Sequence, residues 1–551
     1  MHRIMKKILL IIPLAMLLLV CLSACRQNQR PPFLPPPERV PPPEMTWGVK
    51  TDYSGLTPYV PPHSKHTRLH DGPLNELIPS SNYGMLLPYS SATVLPDGSL
   101  RMSAYGLVTI DGVVVTDMIY SRVERAVNWH HTYVAGVSAP LPAYRITVNI
   151  PGTETEWGAE VRLAACALDG SWVTPLDYIE AVFTEDVIIL MRSNEIVDID
   201  VYDYNGRLLY NALQTSWVKN FSRDAWPWTF AYNVSEGYAC LPGYDGRYFF
   251  VEVLTDKVRY TDYVGASTFS DGYAAVQTDS DQPLYNDGLW GFIDSDFKMV
   301  IPPRYVYQAS FTKGRAVVEV PGGEIRVIDK SGKTLFSVPR GYWIERDYTG
   351  HGYSVHKMDG DGGMRFFTND FVEIELPESA RSSEFYSHIN HLGDGWYFCS
   401  TDEGGVLFSR EEEILFEGMG YISYKFGDAI VYSEYDVQGG RAGVKTLDGR
   451  DIILAEQGVT ISPVVIENNV YAYIINTHTS FGYFGRVNTP YIPSAFRLVD
   501  TDGAEIASGA GMLSYDEYAG LYQVLGVDYF AWMDAYGKIL VSIPHMSYTM
   551  D

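Results

Sequence analysis

Histidines, acids and thiols are the side chains in this sequence best suited to chemistry. His63, His66 and His70 step by three and four residues, the spacing that places side chains on one helix face and would present imidazoles to one metal ion. They follow Pro61-Pro62 in a polar stretch with Asp71 as the one acid beside them, so the segment reads as solvated linker. His130 and His131 are adjacent in strand-like sequence, where neighbours point to opposite faces and do not share a metal. Asp279-Ser-Asp281, Asp359-Gly-Asp361-Gly-Gly363 and Asp500-Thr-Asp502-Gly503 offer the oxygen ligands Ca²⁺ takes. None continues as an EF-hand: Met364 stands where that loop needs Gly, and Gly511 where it needs Glu. Cys166, Cys240 and Cys399 form no CxxC pair and have no adjacent His to lower a thiol pKa. No P-loop, G-x-S-x-G or H-E-x-x-H occurs, and Asp329-Lys-Ser-Gly332 has the wrong order for a Ser-x-Asp-x-Gly box. The expectation is a protein that is not an enzyme, with no catalytic residue, no metal and no cofactor.

Composition narrows the partners. The 551 residues carry 67 acids against 41 Lys and Arg, a net charge of −26, which repels phosphate backbones and argues against nucleic acid. With 46% hydrophobic and 14% aromatic residues, most of the chain has enough apolar surface to fold around cores.

The N-terminus has the layout of an export signal. Arg3, Lys6 and Lys7 precede an apolar run from Ile8 to Leu22, which at about 1.5 Å per residue is shorter than the ~30 Å a spanning helix needs. Leu22-Ser23-Ala24-Cys25 resembles a bacterial lipobox. The resemblance implies cleavage after Ala24 and a lipid on the Cys25 thiol, hence a cell-membrane anchor facing away from the cytoplasm. Acyl chains contribute about 0.8 kcal/mol per buried CH₂, so two or three of them hold firmly. From Pro31 to Pro43 there are eight prolines in thirteen residues, a composition that favours extended polyproline and a semi-rigid tether. The expected organisation is a signal peptide over 1–24, lipidated Cys and Pro-rich tether over 25–50, irregular β hairpins over 51–180, and a repeat array over 181–551.

The body has little helical periodicity. Short runs of Val, Ile, Tyr and Phe are broken by Gly, Asp and Asn, an all-β pattern. One octet recurs: a large apolar residue, two variable residues, a Gly or its stand-in, then alternating residues. It appears as Phe269-Ser-Asp-Gly272-Tyr-Ala-Ala-Val276, as Phe311-Thr-Lys-Gly314-Arg-Ala-Val-Val318 and as Tyr424-Lys-Phe-Gly427-Asp-Ala-Ile-Val431. Val234-Ser-Glu-Gly237-Tyr-Ala239 is a partial copy, and looser copies centre on Asp186, Gly352, Gly395, Asn469 and Gly520. The mean spacing is about 42 residues, and Gly, Asn and Asp are the types that tolerate positive φ. Between octets lies a second turn, as in Val327-Ile-Asp329-Lys-Ser-Gly332 and Trp532-Met-Asp534-Ala-Tyr-Gly537. Related hairpin signals fall near Asp97, Asp111 and Asp169.

One unit carries a fuller signature. Trp290, Gly291, Phe292, Ile293 and Asp294 are followed by Val300-Ile301-Pro302-Pro303-Arg304-Tyr305. This pattern resembles the WG-repeat family of bacterial β-repeat proteins, with the Phe311–Val318 octet completing the motif. The other units keep the two turns and mostly lack Trp-Gly and Pro-Pro.

A module of about 40 residues cannot bury both faces of its own sheet, so successive modules must cover one another. That period is the length of a β-propeller blade. Nine units and one or two N-terminal ones exceed the usual count of about four to eight. The expected fold is all-β and propeller-like, with two smaller propellers or an open β-solenoid as alternatives. The expected function is protein binding or scaffolding, with a cell-envelope carbohydrate or glycan-processing role as the alternative. Trp226-Pro-Trp228 and Gly341-Tyr342-Trp343 are candidates for a binding face.

Overall fold

Sequence that is apolar at nearly every strand position must be covered on both sides, and the structure shows how. It is a computed structural model that describes residues 84–547 apart from short internal stretches, the longest being 129–139 and 479–492. Cys25, Ala24, the proline tether and all the histidines discussed above lie outside the described residues, as do Asp281, Asp359, Asp361, Asp97 and Asp111. Among the described residues no helix is long and apolar enough to cross a membrane.

The described residues form eleven small sheets of three or four strands that follow one another along the chain, antiparallel apart from one closing strand. In chain order they span 86–120, 122–167, 180–211, 234–260, 265–305, 315–338, 342–374, 389–419, 421–457, 459–509 and 512–544. Each is a simple meander. The fold is all-β, tandem and propeller-like.

Strand alternation distributes each sheet's side chains between its two neighbours. In the third sheet Ile189, Met191 and Val201 pack toward the fourth, while Ile188, Leu190 and Tyr202 pack toward the second. This explains the unbroken run Ile188-Ile-Leu-Met191, buried at every position. The same logic joins the fourth sheet to the fifth through Phe250 and Phe269, the fifth to the sixth through Phe292 and Phe311, and the ninth to the tenth through Val444 and Ile475.

The succession of contacts closes on itself. Leu87, Tyr89 and Val108 of the first sheet share a core with Phe530, Trp532 and Val541 of the eleventh. The Trp532 indole N–H donates to the Pro88 carbonyl at 2.7 Å, and the strand Met546–Ser547 pairs in parallel with Thr93 and Val94. An open stack has no such contact between its ends.

The two recurring turns have distinct places. All nine octet positions, from Asp186 to Gly520, fall between or beside the first and second strands of the third to eleventh sheets. Glu236-Gly237, Asp271-Gly272 and Lys313-Gly314 each place two consecutive residues at positive φ (51° and 81°, 56° and 77°, 47° and 76°), the two-residue hairpin geometry that matches strand twist. Gly427 also has positive φ, at 56°. Asp186 and Gly352 do not adopt positive φ; Gly352 instead opens a strand, where a Cβ would come within 2.8 Å of the Phe367 carbonyl oxygen. The Asp-x-x-Gly turns join the last two strands of a sheet. In those at Asp203, Asp329 and Asp500 the Asp Oδ1 accepts backbone N–H groups two and four residues on, as Asp329 does from Ser331 (2.9 Å) and Lys333 (3.0 Å).

Acids at the first hairpins also tie one sheet to the next. The Glu236 carboxylate accepts the Gly272 N–H at 2.9 Å, and the Asp271 carboxylate accepts the Gly314 N–H. Lys330 of the sixth sheet reaches Asp271 at 3.0 Å. Charge-assisted bonds of this kind are stronger than neutral ones, so the hairpin end of one module helps register its neighbour.

Candidate functional site

The residues of the fuller signature come together in the fifth sheet. Trp290–Asp294 is its third strand and Met299–Tyr305 its fourth. Gly291 is needed because the last strand lies directly on it: a Cβ there would stand 2.5 Å from the Ile301 carbonyl oxygen and 2.8 Å from the Pro303 nitrogen. Pro302 and Pro303 have no N–H to donate and occupy the sheet's edge strand, where the loss is tolerated. Phe292 and Tyr305 are buried against Phe311, and Asp294 Oδ1 accepts the N–H groups of Asp296 and Lys298. Phe297, in the place that holds Gly in related turns, has φ 63° and packs edge-on to Tyr238, Phe250 and Phe269. Trp-Gly and Pro-Pro are therefore two halves of one packing contact, and every residue of the signature builds the sheet.

The thiols are sealed. Cys166, Cys240 and Cys399 are buried, and burial pushes the Cys166 thiol up to about 12 and raises that of Cys240. At pH 8 they should resist a water-soluble thiol reagent until the protein is unfolded; rapid labelling of the native protein at any of the three would contradict this packing. Asp500, one of the acids suited to Ca²⁺, spends Oδ1 on the N–H groups of Asp502 and Ala504, both at 2.9 Å. Among the described residues no group of three or more His, Cys, Asp or Glu is placed to hold a metal.

A large cleft lies where the circuit closes, between the eleventh, first and second sheets, with a volume of about 790 Å³. Tyr105, Tyr144, Tyr515 and Trp532 supply aromatic walls, and Pro88 and Pro140 rigid ones. Arg122, Arg125, Glu124 and Asp516 supply two charges of each sign. The frame is rigid: Tyr144 donates its hydroxyl to the Leu86 carbonyl at 2.8 Å, two residues from the Pro88 carbonyl that takes the Trp532 N–H. Burial raises the Tyr144 and Tyr105 pKa values, so both stay neutral phenols. Arg125 is pinned by its Nε bond to the Leu141 carbonyl (2.8 Å) and lies 6.0 Å from the Tyr144 ring centroid. Arg122 and Glu124 are exposed and 3.4 Å apart. A second cleft of about 400 Å³ shares Glu124, Arg125 and Val127 with the first and runs toward Glu180 of the third sheet and Tyr232 in the segment that follows it.

Sequence reasoning did not nominate this site, because its walls come from positions more than 400 residues apart. The one local signal is Arg122-Val-Glu124-Arg125, charges alternating with an apolar residue in a strand. Of the nominated aromatics, Trp226 and Trp228 stack with centroids 5.0 Å apart and planes 14° from parallel, Trp226 being 61% exposed. Trp343 is exposed on the first strand of the seventh sheet.

The fifth-sheet geometry, Gly291 beneath the Pro-Pro strand, is where a known family matches. Residues 290–322 match the family model of the WG containing repeat. The WG repeat thus takes in the fifth sheet's last two strands, the hairpin at Gly314 and the strand after it. No curated protein matches the chain. Similar solved structures include a eukaryotic initiation factor, 8% identical with a TM-score of 0.35, covering 77% of this chain and 96% of that one. BamB from Moraxella catarrhalis is 12% identical with a TM-score of 0.24, over 59% of this chain and 98% of BamB. The computationally designed Ika8 protein is 12% identical with a TM-score of 0.25, over 56% and 93%.

Proposed function

We propose that this is a lipid-anchored, extracytoplasmic β-repeat protein whose WG-type modules form a rigid frame for binding another protein. The cleft at the closing seam carries this reading: it is framed by fixed strands, lined by four aromatic rings and balanced in charge. Aromatic and Arg side chains are the types that dominate protein-recognition energetics, and a net-neutral polar rim suits a surface that is itself amphoteric. The lipobox-like Leu22–Cys25 and the proline tether would hold this frame a short distance off a membrane.

Two experiments test the reading. Cys25→Ser should release the protein from the membrane fraction, and retention of this variant would remove the anchor. Affinity capture from native membranes with the mature, tethered protein should recover one stoichiometric protein partner. Recovery of glycan with no protein would replace this reading. The exposed Trp226–Trp228 stack favours that second reading, since flat rings stack on sugar faces, and Trp226→Ala should then abolish glycan retention.

A further inference from the structure

We infer that the outer edge of strand Arg122–Val127, which pairs with no further strand among the described residues, is a docking edge for an extended polypeptide segment, which adds to the second sheet as an extra strand. The inference rests on the protein-binding reading and gives it a site. Arg122–Val127 is the outermost strand of its sheet, paired with Pro140–Asn149 on one side. An edge strand directs alternate N–H and C=O groups outward, a template for pairing with another chain. Space is what decides whether such an edge is usable, and here the two clefts adjoin the strand. The ~790 Å³ cleft is lined by Arg122 and Val123, the ~400 Å³ cleft by Ala126, and both by Glu124, Arg125 and Val127.

Across the larger cleft stands Met512–Asp516, the edge strand of the eleventh sheet, which contributes Ser514, Tyr515 and Asp516. An extended segment would lie between two edges, over the regular stretch Arg122–Arg125, about 13 Å long, ahead of the register shift between Arg125 and Val127. Its chemistry follows from the walls. Val123 and Ala126 are buried, while Arg122 and Glu124 are exposed on the template. Arg122 and Glu124 pair with each other at 3.4 Å on the surface, and exposed pairs of this kind are weak, so both can exchange partners. The segment that fits carries an acid opposite Arg122 and a base opposite Glu124, with an aromatic or aliphatic side chain turned toward Tyr105 and Tyr515. A glycan carries no alternating N–H and C=O groups in strand register, so a two-residue periodicity of binding distinguishes the two ligand classes.

The test uses the full chain, detergent-solubilised, against an immobilised library of synthetic decapeptides. Enriched peptides should alternate charged and apolar residues. In a scan of backbone N-methylation along one such peptide, binding should fall about fivefold at every second position and stay unchanged between them, because each methyl removes one strand bond or none. The double variant Arg122→Glu, Glu124→Arg, with both changes exposed, should reverse the preferred charge order of the peptide. Peptides that bind with no two-residue alternation, or that ignore the double variant, would overturn the site while leaving protein binding intact. Retention of envelope oligosaccharide with no peptide enriched would overturn both.

Discussion

Trp532→Ala weakens the whole described unit by about 3–5 kcal/mol, measured as a lower denaturant midpoint for unfolding. Trp532 is 2% exposed, fills the core shared by the first and eleventh sheets, and donates the bond to Pro88. Removing it opens a cavity in that core and leaves the Pro88 carbonyl without its indole donor. The loss falls on the contact that joins the two ends of the succession, so protease cleavage near residues 84–94 and 539–547 should accelerate with it. Trp532→Phe keeps most of the packing and loses the donor; it should cost about 1–2 kcal/mol more than the area alone predicts. A Trp532→Ala protein with unchanged stability would mean the first and last sheets are not in contact.

Gly291→Val destabilises by about 3 kcal/mol or more and leaves much of the protein insoluble. The reason is lack of room, since the added Cβ meets backbone atoms of Ile301 and Pro303 that no rotamer change can move. Gly272→Ala provides the contrast. A Cβ at Gly272 would find nothing within 4 Å, but its φ of 77° is left-handed, so the cost is about 1–2 kcal/mol of backbone strain. Two glycines of one repeat should thus fail by different amounts for different reasons. Gly272→Asn, a residue that tolerates that conformation, should recover part of the loss, whereas no substitution at Gly291 should. Equal tolerance of Val at both positions would show that the Pro-Pro strand does not lie on Gly291.

The positions of the modules were legible because turns are local. Ser-Asp271-Gly272 and Asp329-Lys-Ser-Gly332 specify hairpins with a few residues, so their spacing marked the first and last hairpins of successive sheets. Asp186 and Gly352 satisfied the same pattern with other backbone geometry, because a turn position can be held by neighbours as well as by φ. Phe297 shows the converse: tertiary packing holds a non-glycine residue in a left-handed turn that local rules assign to Gly. Of the seam cleft, only the charged strand Arg122-Val-Glu124-Arg125 left a local trace. Glu124 and Asp516 become neighbours of one cavity only after the last sheet meets the first, and no local pattern encodes a contact of that range. The pair Trp-Gly and Pro-Pro was visible as a motif, while its meaning, a strand seated on a glycine, needed coordinates.

Closure of the eleven sheets underlies both the stability of the fold and the existence of its cleft, and a disulfide trap tests it directly. Thr93 and Met546 are paired neighbours on adjacent parallel strands. Strands in register lie about 4.8 Å apart, within the range a disulfide spans. In a chain carrying Thr93→Cys and Met546→Cys, mild oxidation should yield an intrachain bond, detected as one linked peptide pair in the monomer, with the three buried native thiols untouched. Two freely reactive thiols that never join within one chain would contradict closure, and the seam site would fall with it.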